Sequence, residues 1–399
     1  MNTILKEQHQ QAEGFVQCFV VDAASGSVVK EYPKQKNLIL NQGMDQVVVN
    51  YWADLFAYCS AGNGVTPTSD DSGLTTASQS GNALTLNGGS FTLTSTLADG
   101  GNLIKWDTGE EAMITVVASG TSATVANSAS VGAGQFTVYR TNQTQLGSQL
   151  KRTNNYLAGL PYTGSVLTSN VLKMRRTFDF TAEVSGATYT EIALGWNNVS
   201  VSAIFSRILL TLPVPVLTGQ QLRVTYELRI TVTPSAPVSK TAIIGGWPVA
   251  PAATTDGVEC VQYLGIAAPN TSGTSTIWDG GGWSSEPSSA SFCGVFVSDT
   301  ATGPASFGGA IARTNTGSAN TTTAAYIAGS WYVDKSGTLS VGVGNSSAIR
   351  SMGYGYHQPN NIFASTSTTI VFVFNEAQTK LNTHTLTLTY RFSWSRVLS

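Results

Sequence analysis

Residues 222–233 read LRVTYELRITVT, and every second residue is apolar. Leu222, Val224, Tyr226, Leu228, Ile230 and Val232 alternate with Arg223, Thr225, Glu227, Arg229, Thr231 and Thr233. Successive side chains of a strand point to opposite faces. A period of two held this long therefore describes a strand with one buried face and one polar face. The closing stretch LTLTYRFSW repeats the pattern with Leu386, Leu388, Tyr390, Phe392 and Trp394. Strands of this kind serve as staves of a membrane barrel, as an enzyme scaffold, or as walls of a rigid building block.

The membrane option fails on pattern. A transmembrane barrel needs alternating segments of about 10 residues that recur regularly, and the chain has no such recurrence. Pro213 and Pro215 interrupt SRILLTLPVPVLTGQQ, so its second half is expected at a sheet edge or in a connection. MNTILKEQHQQAEG carries no apolar signal-peptide core, and no apolar run approaches the roughly 18 residues of a membrane helix. No membrane partner is expected.

Charge is scarce. Charged residues make up 11% of the 399, against about 25% in ordinary domains. The hydrophobic share of 42% still provides a core. Gly, Ser, Thr and Asn fill the gap, which points to short strands with polar turns and to surfaces covered by neighbours. The net charge is −2 and no like-charge run exists. The densest basic spots are LKMRR (172–176) and QLKR (149–152). Lys173, Arg175 and Arg176 read as a solvated strand edge protected from mispairing. Nucleic acid requires a basic stripe and is not an expected partner. Cys18, Cys59, Cys260 and Cys293 fit no metal-ligand spacing. A reducing cytoplasm points to free buried thiols, with a disulfide left open after release into an oxidising medium.

Along the chain, FVQCFVV, DAASGS and VVKEY form a hairpin turning at Gly26. Met44, Val47, Val48, Tyr51, Trp52, Leu55 and Phe56 fall on one helical stripe. Asn41 is its expected cap, and SAGNG (60–64) its expected end. TPTSDDSGLTTASQSGNALTLNGGS reads as turn-rich. Five short strands are expected at 91–96, 102–106, 111–118, 122–127 and 134–140. TGQQ is a turn into the 222–233 strand, and TPSAPVSK (233–240) is a linker. The fold class expected is mainly β. A first β-sandwich domain (1–62 and 146–235) with one short helix is split by a small β-barrel-like module (63–145), and a C-terminal β-domain follows (236–399).

Catalytic signals are weak. His9, His357 and His384 are the only histidines. No G-x-S-x-G elbow, P-loop or dinucleotide fingerprint occurs. Asp279 and Glu286 in WDGGGWSSEP could act on sugars as a carboxylate pair. Glu110–Glu111 and Asp70–Asp71 read as turns, the latter far short of a calcium ligand set. The chain is expected not to be an enzyme, with no cofactor and no metal. Trp278 and Trp283 flank three glycines, and Tyr354 and Tyr356 lie in GYGYH. Such aromatics anchor subunit contacts or stack on sugars. Arg223, Glu227 and Arg229 on the outer strand face complete the expected contact set.

Five segments carry a resemblance: KNLILNQGMDQVV, YRTNQTQLGSQLKRTN, RTFDFTAEVSGATYTEIALGW, FSRILLTLPVPVLTGQQLRVTYELRITVTP and LTLTYRFSWSRVLS. Together they resemble virion structural proteins of tailed bacteriophages. NLIKWDTGEEAMITVVASGTSATVANSASVGAGQFTVYRTNQT looks like a module that recurs in such proteins. The resemblance covers most of 36–235 and the last 30 residues. It implies a non-enzymatic particle component of the neck, collar, tail or fibre region, assembled in the host bacterial cytoplasm. The implied partners are other copies of the chain and portal, connector or tail proteins. The alternative is a fibre module that binds a host receptor or surface glycan.

Overall fold

The computed structural model describes residues 4–48, 50, 54–89, 91–93, 101–157, 171–197, 202–232, 238–242, 258–264, 293–298, 315–323, 325–343, 346–356, 368–380 and 386–398. Among these the protein is mainly β, with one short α-helix. The chain opens with β1 (Ile4–Asp22), β2 (Val28–Glu31), β3 (Gln35–Ile39), α1 (Asn41–Gln46) and β4 (Tyr58–Gly62). The inserted module contributes β5 (Ser69–Asp71), β6 (Thr76–Asn87), β7 (Leu103–Trp106), β8 (Glu111–Ser119), β9 (Ser122–Gly134) and β10 (Phe136–Tyr139). The sheet resumes with β11 (Gln149–Thr153), β12 (Val171–Asp179), β13 (Ala187–Gly195), β14 (Ile204–Val216) and β15 (Gln220–Val232). The last segment holds β16 (Val238–Ala242), β17 (Val258–Leu264), β18 (Cys293–Ser298), β19 (Asn315–Thr323), β20 (Tyr332–Leu339), β21 (Ser346–Tyr356), β22 (Thr368–Lys380) and β23 (Leu386–Arg396).

β15 is the alternating stretch of the sequence. Leu222, Val224, Tyr226, Leu228 and Ile230 are completely buried, and each aliphatic one contributes about 1.5–3 kcal/mol relative to an exposed position. The strand is central: it pairs antiparallel with β1 from Gln10↔Val232 to Asp22↔Gln220, and with β12 from Val171↔Thr231 to Asp179↔Arg223. β3 bonds to β1 through Gln35–Asn37 and to β14 through Leu38 and Ile39. The sheet therefore runs on through β14, β13, β4 and β11 and curls into a half-barrel. Its two walls face each other across one core, with Val224 and Leu228 from one side and Ile192, Leu194 and Phe205 from the other. Among the described residues the proline half of β14 pairs only with β13 (Thr188↔Pro215), so Pro213 and Pro215 sit at an edge as expected.

The N-terminal stretch, though polar in sequence, is a strand from Ile4 onward. It is the first half of a 19-residue strand that pairs with β23 from Ile4 to Ala12 and with β15 from Gln10 onward. The hairpin turn is the expected one: Gly26 adopts φ 69°, and Asp22 accepts the Ser25 N–H at 2.8 Å. The predicted helix does not run through its apolar stripe. α1 stops at Gln46, and a single 3₁₀ turn forms at Asp54–Phe56. Met44, Val47, Val48, Leu55 and Phe56 are all buried, so the periodicity marks core contacts of a short connection. Consecutive valines from Val47 onward disfavour helix, and Ser60–Gly62 belong to β4 instead of ending a helix. Asn41 is not the cap. Leu40 holds that position, and Asn41 bonds Asn142 and Arg396.

The module is an antiparallel sheet in the order β5-β10-β7-β8-β9-β6 around its own core of Trp106, Phe136, Ile104, Val138 and Leu84. Trp106 Nε1 donates to the Ala77 carbonyl at 2.9 Å. Two of its strands, β5 and β6, fall in the stretch expected to be turns. The strand expected at 91–96 does not begin there: Phe91 and Thr92 are irregular, and Leu93 is buried as a plug.

In the last segment the ladder runs β16-β17-β22-β21-β18-β19-β20-β23, all antiparallel, and β23 then pairs parallel with β1. Trp394 Nε1 donates to the Met44 carbonyl at 2.8 Å, and Val397 N–H donates to Ala12 at 2.9 Å. Leu398 packs with Leu38 and Ile204 of the half-barrel and with Leu103 and Tyr139 of the module. The end of the chain thus closes a joint where half-barrel and module meet.

Candidate functional site

The outer face of β1–β15–β12 is laid out by register. Glu13, Arg229 and Lys173 form one row, and Phe15, Glu227 and Arg175 the next. Gln17, Thr225 and Thr177 follow, then Phe19, Arg223 and Asp179. Arg223 donates from Nε to Asp179 Oδ1 at 2.5 Å and from its second nitrogen to Oδ2 at 2.9 Å, a bidentate pair.

Glu227 is the centre of the face. It is only 4% exposed although it lies on the polar side of the strand. Three cations cover its carboxylate: Lys34 Nζ at 2.9 Å and Arg229 Nε at 2.7 Å on Oε1, and Arg175 at 2.8 Å on Oε2. Burial alone would raise its pKa. The hydrogen bonds from Arg175, Lys34 and Arg229 outweigh burial and bring it down to about 2. Lys34 and Arg229 also lie over the Phe15 ring, at 4.9 and 4.2 Å. Beside Glu227 opens a cavity of about 240 Å³ whose walls include Lys34, Arg175, Gln17 and Phe19. Thr177 and Thr225 line it too, and their hydroxyls bond each other at 2.9 Å.

A second carboxylate–arginine cluster lies at the neck of the module. Glu191 and Arg207 are completely buried and paired at 2.8 Å. Glu191 also accepts the N–H groups of Gly64 (2.9 Å), Ser148 (2.8 Å) and Gly147 (3.1 Å). Arg207 donates to the Thr66 carbonyl and to Gln143. These partners are the incoming and outgoing connections of the module, so one ion pair clamps both. Burial would raise the Glu191 carboxyl, but the Ser148 N–H, Arg207 and the Gly147 N–H keep it below its usual value. Gly64 is required by close approach, since a Cβ there would overlap the Glu191 carboxylate.

Three loops meet at one end of the half-barrel. Ala23 N–H donates to Gly219, Gly219 N–H to Glu183, and Glu183 N–H to Gln220. On and beside these loops Val184 is 88% exposed and Leu217 65%, with Val28 and Val29 also exposed. Single exposed apolar side chains are ordinary, and here several lie on or beside loops that are hydrogen-bonded to one another.

Of the expected contact residues, Arg223, Glu227 and Arg229 come together on β15. Tyr354 and Tyr356 lie in β21, which pairs with β18 and β22. Trp278, Trp283, Asp279, Glu286, His357 and His384 lie outside the described residues. Asp70 is in a strand rather than a turn and pairs with Arg140, and Asp71 accepts from Thr137. Glu110 belongs to the expected turn, its carbonyl accepting the Trp106 N–H. Among the described residues no group of acidic, His and Cys side chains is arranged for a metal.

Cys18 and Cys59 are free and buried, and burial pushes the Cys18 thiol up to about 12. Arg176 corrects the strand-edge reading of LKMRR. It is buried between the rings of Phe56 and Tyr156, while Lys173 and Arg175 are exposed.

Sequence reasoning missed Lys34 and the Glu191–Arg207 pair. The available signal for the pair was a single charge inside each of two apolar runs, TEIALGW and FSRILL. No protein family, curated protein or solved structure matches this chain.

Proposed function

We propose that the chain is a non-enzymatic structural component of a tailed-bacteriophage particle. It is present in symmetric multiple copies in the neck, collar or tail region and contacts portal, connector or tail proteins. The observation that carries this reading is the set of exposed apolar side chains, Val184, Leu217, Val28 and Val29, on and beside the linked loops of a chain with so little charge. The resemblance of the five sequence segments agrees with it. Mechanically, the ladder through β1 joins the first and last segments, and the Glu191–Arg207 clamp fixes the module's neck. A part of this kind holds shape while its apolar end buries against the next copy, with about 2,000 Å² or more per interface.

Replacing both Val184 and Leu217 with Asp tests the proposal. Both side chains are exposed, so the variant keeps its fold by circular dichroism. Sedimentation velocity should show self-association weakened about tenfold or more, and incorporation into particles should drop. Unchanged association and incorporation would refute the role of this end.

A second reading is a receptor- or glycan-binding fibre module of the virion. Tyr354 and Tyr356 favour it, because aromatic residues interleaved with glycines in GYGYH are a sequence pattern suited to stacking on sugar rings. A glycan-array signal from the full chain, lost in Tyr354→Ala and Tyr356→Ala, would select that reading.

A further inference from the structure

The Glu227 cluster is unbalanced. One carboxylate faces three cations, in a face that carries more cations than anions although the whole chain is −2. Phe15 compensates two of them, since Lys34 and Arg229 lie over its ring. Arg175 has no such cover. Its side chain is 50% exposed and stands at the cavity wall, and the bond from one terminal nitrogen to Glu227 is its only polar contact among the described residues. A guanidinium has five N–H donors in a planar fork. One edge remains free to take two oxygens of an anion side by side. In the next row of the same face, Thr177 and Thr225 line the cavity and share one hydrogen bond. One hydroxyl donates to the other, which leaves one O–H for a ligand. About 240 Å³ has room for an ion of a few heavy atoms together with water.

We infer that this cavity binds a small oxyanion, a carboxylate or a phosphate, between the Arg175 guanidinium and the Lys34 ammonium, above the Thr177–Thr225 hydroxyl pair. Glu227 is part of the design. It holds the cations in place and repels the anion from its own side, so the ligand seats on the free edge of Arg175. The site belongs to one chain and does not depend on the particle reading. The same oxyanion chemistry can come from a free ion or from an acidic side chain of a partner chain.

Isothermal titration of inorganic phosphate, and separately of glutarate, into the full chain tests this at fixed ionic strength set with chloride. Saturable binding of at least one is expected. Arg175→Ala should weaken it about tenfold or more, and Arg175→Lys should recover part of the loss. Lys173→Ala, on the same face but outside the cavity lining, should stay within about twofold of the wild type. Titration at two protein concentrations separates the sources. Affinity that holds constant marks a site for a free ion, whereas affinity that falls as copies associate marks a site filled by a partner's carboxylate. The inference is overturned if neither anion gives saturable heat, or if Arg175→Ala binds as the wild type does.

Discussion

Glu191 and Glu227 are both strand carboxylates gripped by arginine, and they end in opposite states. Glu191 and Arg207 have no exposure, and every remaining bond goes to backbone or side chains of the module's two connections. Glu227 is nearly as buried, but its cations reach solvent, with Arg175 half exposed beside a cavity. The first cluster is saturated and can only hold the chain to itself. The second has cationic donors to spare and can hold something else. Closure of the hydrogen-bonding shell, more than the identity of the residues, separates a structural ion pair from a candidate site.

The contrast makes graded expectations. Arg207→Leu should cost the most, about 3–5 kcal/mol in urea unfolding, because it leaves a buried carboxylate without its cation. A loss below about 1 kcal/mol would mean that the backbone N–H groups suffice to hold Glu191. Glu227→Gln should cost less, about 1–3 kcal/mol, since the three cations keep contact with solvent. It should also alter the acid limb of stability. The folded-state pKa of Glu227 lies below its ordinary value, so its contribution is complete above about pH 4.5. That contribution is lost as pH falls toward about 2. The variant should show a flatter stability curve through this window, and an identical curve would place Glu227 outside the acid transition. Arg175→Ala should cost the least, about 1 kcal/mol or less by thermal unfolding, since half of its side chain is in water. A large loss there would make the open cluster structural and erase the distinction.

Much of the half-barrel was legible in the sequence because period two is a local property. Leu222 to Ile230 read as a one-sided strand and are one, and the turns at Gly26 and Gly219 have the positive φ that their glycines allow. The Met44–Phe56 stripe misled because 3.6-residue spacing records burial, and a short buried connection can satisfy it without a helix. β6 was hidden by its polarity. Gln79 occupies a buried position, where its amide nitrogen donates to the Gly81 and Asn127 carbonyls. Glu227 read correctly as an outer-face residue. Its burial did not, because Lys34 and Arg175 arrive from segments 193 and 52 positions away (227 − 34 and 227 − 175). Convergence of that kind belongs to the topology of β1, β12 and β15 and has no local signature.

The central claim is that this chain is a shaped part of a larger particle, joined through its apolar end. A reconstruction of tailed-phage particles carrying the chain tests it most directly. The account predicts symmetric copies in the neck, collar or tail, with Val184 and Leu217 buried against a neighbouring chain. Particles in which the chain is missing, or in which that end of the half-barrel faces open solvent, would contradict it.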